Sequence, residues 1–306
     1  MPWNLTTLQP SSTFARHAKP RQDGFSLLEL LVGLTISLMT IATALGSLLV
    51  SRNITAAITD SSHLHQQAAY AFRIIGQQLR QAGSLRLSPA LHHPATASTA
   101  SHTVAFEVRP GDLLPGNAIR GKDHPSTGEY TLSIRYHDDI VPLYIDPPQA
   151  SLQRDCLGNK GHNMLIESHF VLRKESNGIP SLYCAGGSSA PQSIVRNVAN
   201  FQVRYLLQRI SLDIPHIQYV NAATIDSDSA SHWRHVIGIE VCLVLFSDEA
   251  IDQPSESSNT TTYLDCDGKT YVNTVDSSLP PLRQQRIHAV FRHVYQLRSQ
   301  GTLNLG

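Results

Sequence analysis

The hydrophobic pattern begins with an unbroken apolar run. From Leu30 to Val50 no charged residue appears, which as a helix at about 1.5 Å per residue gives about 31 Å, the thickness of a bilayer core. Beyond it, apolar positions recur at Ile54, Ile58, Leu64, Ala68, Phe72, Ile75, Leu79 and Ala82, mostly three or four apart. That is the period of one helix face. His63, His65, Gln66, Gln67, Arg73, Gln77, Gln78 and Arg80 fill positions between them and predict a polar face. No proline lies between Pro20 and Pro89, and Gly83 is placed to end the helix. The pattern predicts one helix from about Ser26 to Ala82. Its first half faces lipid and its second half docks on a globular domain.

The period then shortens. After a Pro/Ser/Thr/Ala loop over 87–102, short runs rich in Val, Ile, Tyr and Phe occupy 103–109, 130–137, 141–145, 163–174, 181–185, 201–208 and 234–246. Several alternate apolar with polar, which predicts strands in one or two antiparallel sheets. A Ser/Thr loop over 253–262 interrupts the later strands, and no internal repeat is visible. The expected fold is therefore α+β, a long N-terminal helix with a membrane-spanning first half, packed on an antiparallel β-sheet globular domain.

Charge orients the run. Arg16, Lys19 and Arg21 precede it, so the positive-inside tendency leaves 1–23 in the cytoplasm and the chain after Arg52 outside. Lys and Arg together equal Asp and Glu at 24 each, so there is no basic field for nucleic acid. All four cysteines, Cys156, Cys184, Cys242 and Cys266, follow the membrane run. None has zinc or thioredoxin spacing, and an even number outside the membrane reads as two disulfides, with three connectivities open. Pairing of sequence neighbours, Cys156–Cys184 and Cys242–Cys266, is the expected arrangement.

One residue contradicts the apolar run at its start. Glu29 stands between Leu28 and Leu30, where a charge costs roughly 2.5–3.5 kcal/mol at full membrane depth and less near the interface. A partner would explain it. A cut between Gly24 and Phe25 creates an α-amine about one helical turn from Glu29. In staggered parallel helices that amine in one subunit can neutralise Glu29 of the next.

The stretch "GFSLLELLVGLTISL" resembles the class III signal of type IV pilins and pseudopilins, with a basic leader, Gly at the cut, Phe after it and Glu further on. The resemblance implies that a prepilin peptidase removes residues 1–24 and methylates the Phe25 amine. "AAYAFRIIGQQLRQAG" (68–83), "DCLGN" (155–159), "SLYCAGG" (181–187), "VRNVANFQVRY" (195–205), "HWRHVIGIEVCLVL" (232–245) and the basic, aromatic 283–299 follow the order of the PilW family of minor pilins. The terminal segment departs from that family's paired arginines and closing Arg-Asn.

The resemblance implies a non-catalytic minor pilin of the type IV pilus. Such a subunit primes pilus assembly and forms part of the tip complex with other minor pilins and the tip adhesin, working with the inner-membrane assembly platform. It implies three parts: the leader 1–24, a helix over 25–83 with a transmembrane segment about 27–50, and a periplasmic domain over 84–306. Three other readings compete. One is a J-type pseudopilin of type II secretion, against which the cysteines and the 155–184 block weigh. A second is an ordinary secretory signal cut at "ATA" (42–44), against which Glu29 and the continuing helical pattern weigh. The third is an uncleaved anchor carrying a periplasmic receptor or enzyme.

Enzyme chemistry finds little support. "GNAIRGKD" (116–123) has the spacing of a phosphate loop, but Asp123 replaces the Ser or Thr that holds magnesium. Fifteen histidines are scattered without an H-E-x-x-H, and there is no G-x-S-x-G. No metal or cofactor is expected.

Overall fold

A computed structural model describes residues 24–84, 118–138, 140–142, 149–161, 165–187, 189–211, 214–228, 230–250 and 262–297. The leader 1–23, the loop 87–102, the strand expected at 103–109 and most of the 253–262 loop lie outside them. The chain divides into two compact units after Thr55.

A single helix, α1 (Leu27–Gln81), contributes to both units. Its first half is long and apolar enough to cross a membrane. Here the large apolar side chains are exposed, among them Leu31, Ile36, Met39 and Leu49. Four hydroxyls among them are satisfied within the helix. Thr35, Ser37, Thr40 and Thr43 each donate a hydroxyl to the carbonyl three or four residues back, at 2.7–2.9 Å. Hydroxyls bonded in this way are partnered within the helix and oppose a hydrocarbon environment less than free ones would.

In the second unit α1 buries Leu64, Ala68, Ala71, Ile75 and Leu79, and Ala82 just after it is buried as well. The expected stripe needs three corrections. Ile54 and Ile58 are exposed, Phe72 is half-buried, and Gln78, expected on the polar face, is buried at 2 %. The helix ends as Gly83 takes a φ of 71°. Its amide then leaves the helix for the Arg135 carbonyl, 2.9 Å away, and the His137 amide returns to the Ser84 carbonyl at 2.9 Å. The helix exit is thus tied to a strand.

That strand, β2 (Leu132–His137), lies in a five-stranded antiparallel sheet with β1 (Ile119–Gly121), β5 (Leu165–Lys174), β6 (Pro180–Gly186) and β7 (Gln192–Arg196), in the order β1-β2-β5-β6-β7. A short pair, β3 (Ile140–Pro142) with β4 (Gln149–Ser151), stands apart in the ladder. A second antiparallel sheet orders β13 (His288–Gln296), β10 (Val236–Phe246), β8 (Val198–Ser211) and β9 (Ile214–Val220). Asn197, at φ 56°, joins β7 to β8 and so passes the chain from one sheet to the other. Asparagine tolerates the left-handed region better than other side chains.

One core gathers the inner faces of both sheets and the docked half of α1, with Ile119, Ile134, Phe170, Tyr205, Trp233 and Leu243 all fully buried. On the other face of the second sheet, the hairpin of β11 (Thr262–Leu264) and β12 (Tyr271–Asn273) is held by a disulfide from Cys266 to Cys242, over a small cluster that includes Val244. Cys156 is bonded to Cys184, and no described cysteine is free.

Candidate assembly interface

The site is built first at the start of α1. The Ser26 carbonyl accepts the Leu30 amide at 3.1 Å, which makes Ser26 the capping residue and Glu29 the third residue of the helix. Serine followed three positions later by glutamate is the residue pattern of a capping box, and a carboxylate here faces the positive end of the helix dipole. Phe25 is 84 % exposed. Glu29 is exposed too and makes no hydrogen bond or ion pair among the described residues. Gly24, Phe25 and Glu29 therefore stand together at one helix end, open to a second molecule. Glu29 has a local reason to be there, at the helix start, that hydrophobic periodicity does not display.

The docked half of α1 is fixed by polar anchors as well as by its apolar stripe. Gln78 Oε1 accepts from Ser168 Oγ at 2.9 Å and lies 2.7 Å from Tyr136 Oη, while Gln78 Nε2 donates to the Arg154 carbonyl at 3.3 Å. Ser168 Oγ in turn accepts the Cys156 amide at 3.1 Å. Helix, sheet and the disulfide-bearing loop meet in this buried network, and burial pushes the Tyr136 phenol well up. A satisfied network of this kind specifies one docking geometry. On the second sheet, β13 meets the helix through rings. His65 packs edge-on against Phe291 at 5.0 Å, and Phe72 lies 5.8 Å from His293.

The phosphate-loop spacing has a different explanation. Both carboxylate oxygens of Asp123 accept backbone amides, from Ala222 at 3.1 Å and Ala223 at 2.9 Å. These open the short helix α2 (Ala222–Asp228). The aspartate occupies the place where a bound anion would sit. Among the described residues no group of three or more His, Cys, Asp or Glu is placed to hold a metal.

Comparison with known proteins agrees with this arrangement. Residues 169–299 match the family model described as type IV pilus-assembly protein W, and residues 19–45 match the prokaryotic N-terminal methylation motif. No curated protein matches significantly. A type IV-like pilin from Thermus thermophilus matches in structure, with 13 % identity and a TM-score of 0.35, over 78 % of this chain and 100 % of that one; a likeness that low adds nothing to the assignment. The family model takes in the whole second sheet and the methylation motif takes in Gly24, Phe25 and Glu29, so the chain carries a PilW domain behind a prepilin-type N-terminus.

Proposed function

We propose that this protein is a minor pilin that helps to prime type IV pilus assembly and forms part of the pilus tip complex with other minor pilins. One observation carries the reading. A helix headed by Gly24, Phe25 and Glu29, with its first half apolar and exposed, precedes a domain that matches the pilus-assembly family. A pilin-family protein assembles with other pilus components and is processed by a prepilin peptidase.

In this reading residues 1–24 are removed on the cytoplasmic side and the new Phe25 amine is methylated. Residues 27–50 then hold the subunit in the inner membrane, with 84–306 in the periplasm as a non-catalytic domain, until it enters the pilus. The cut places a cation at the positive end of α1, which the dipole opposes. Glu29 of a neighbouring subunit relieves that charge while its own is relieved in turn. The test is the mass and N-terminal sequence of the chain from native membranes, beside a pilus count in a strain lacking it. The expected result is a mature chain starting at methylated Phe25 and a loss of pili. Residues before Gly24 still attached, or loss of protein secretion with pili intact, would overturn it, the latter in favour of a type II secretion pseudopilin.

A further inference from the structure

The second sheet is finished unevenly. Strand β10 accompanies β8 only as far as the pair Val236 and Leu207, whereas β8 and β9 stay paired to Ser211 and Ile214. From Gln208 onward the sheet narrows to a two-stranded ribbon, an arrangement of marginal stability in water. Strand β9 is terminal in its sheet, and among the described residues nothing pairs with its outer edge. Edge strands are ordinarily blunted by charges or proline. The seven residues of β9 include no charge, and Pro215 is their one blunting residue. Ile217 is 58 % exposed and Tyr219 48 %.

The face beside this edge is open as well. Register places Ile217 and Tyr219 on the side of the sheet that carries Arg204, Glu240 and Val294, opposite the core. The disulfide-held hairpin covers the Cys242 and Val244 end of that face, and among the described residues no element covers this end. Arg204 donates to Glu240 Oε1 through Nε at 3.1 Å and Nη2 at 2.7 Å, and Arg292 Nη1 stands 3.4 Å from the same oxygen. Two guanidinium groups, each with about a third of its side chain exposed, share one carboxylate. Arg204 also lies over the Tyr219 ring at 5.1 Å. The cluster is cationic on balance, so its complement is a carboxylate.

We infer that β9 and this bare face take an extended strand from another pilin subunit, which adds to the β9 edge, lays apolar side chains over Ile217 and Tyr219, and brings an acidic side chain to Arg204. Backbone pairing at the edge supplies the hold, and alternate side chains supply the selection. The inference rests on the assembly reading only for the identity of the strand's donor.

Photo-crosslinking in the native host tests it with the full chain in membranes that contain every pilus component. Benzoylphenylalanine is placed at Ile217 and, as a control, at Leu152, which is equally exposed but remote from β9 in the ladder. The expected product at Ile217 is an adduct with a different chain that bears a methylated, peptidase-processed N-terminus, mapped to an extended segment containing Asp or Glu. The Leu152 position gives no such adduct. With the crosslinker moved to Tyr219, Ile217→Asp should cut the adduct at least tenfold and leave thermal unfolding unchanged. An adduct with a second copy of this chain, with lipid alone, or with nothing at Ile217 overturns the inference. The N-terminus is read in the same sample. Mature Phe25 and piliation that depends on the chain, with no Ile217 adduct, would sink the docking strand and leave the proposed function standing.

Discussion

Tyr295 lies across the helix at Gly76 and donates its hydroxyl to the Phe72 carbonyl at 2.6 Å. In helical register that carbonyl is also the acceptor for the Gly76 amide. A Cβ on residue 76 would fall within contact of the Tyr295 ring, so the missing side chain is what lets β13 approach α1. In most helices Gly→Ala stabilises by roughly 0.5–1 kcal/mol. Here Gly76→Ala should destabilise by about 1–3 kcal/mol, the range for overpacking. Tyr295→Phe removes only the hydrogen bond and should cost about 1 kcal/mol. Chemical denaturation of both variants checks the order, and Gly76→Ala as stable as the parent would disprove the close approach.

The two disulfides should differ in what they protect. Each closes a loop of similar length, with sequence separations of 28 and 24, so the chain-entropy model assigns each about 3–4 kcal/mol. Their surroundings are not alike. Cys156 sits in the loop held through Ser168 to Gln78, whereas Cys242–Cys266 holds a surface hairpin. Replacing Cys156 and Cys184 by Ala should therefore lower global stability and speed amide exchange in the docked half of α1. Replacing Cys242 and Cys266 should open 262–273 to protease at a smaller global cost. Equal exchange profiles for the two pairs would rule out the difference.

His288 gives the domain a pH dependence above the carboxylate range. Stacked on Tyr263 at 4.9 Å, its imidazole is brought down from 6.5 to about 4 by burial, with Arg283 and Arg286 adding to the shift. The folded chain thus binds this proton more weakly than the unfolded chain. The resulting stability is complete above pH 6.5 and is lost as pH falls from 6.5 towards 4. Glu129, held at about 2 by hydrogen bonds from Lys122 and Ser126, acts lower, below about 4.5. Unfolding midpoints should fall between pH 6.5 and 4.5 in the parent and stay flatter in His288→Gln. The same slope in both would remove His288 as the cause.

Much of this fold is legible because it is periodic. The α1 boundaries fall within a residue of those the apolar stripe and Gly83 predict, and β2, β5, β6, β8 and β10 lie where alternation places them. Strands of three residues, such as β1, β11 and β12, carry too few positions to show a period. The seven-residue β9 escapes for another reason, since its buried residue, Val220, comes last and Pro215 reads as a break. Gln78 and Asp123 escape because their partners are distant in sequence, up to 100 residues away for Asp123. At the helix start, the methylation motif that takes in Gly24, Phe25 and Glu29 is readable from adjacency alone. What another pilus component presents to them is a property of an assembly, which no single chain encodes locally.

Glu29 supplies the sharpest test of that assembly. Its carboxylate is exposed at the third helical position, without a partner among the described residues, one turn from the residue whose amine the proposed cut would free. Glu29→Gln keeps size and polarity and removes only the charge. Insertion becomes easier, and the domain is untouched because it lies in the other unit. Export, membrane level and thermal unfolding should therefore match the parent. Association should fall, since a charge-assisted hydrogen bond in a setting of low dielectric is replaced by a weaker neutral one. The measurement is recovery of other minor pilins with Glu29→Gln from membranes, beside a pilus count in a strain without the parent copy. Recovery should drop severalfold, while pilus number falls less, because a priming subunit is needed in few copies. Glu29→Asp separates charge from reach, and partial rescue by it is expected. Unchanged recovery and full piliation in Glu29→Gln would show that the carboxylate is not an assembly contact, and would leave it the local role of favouring the start of α1.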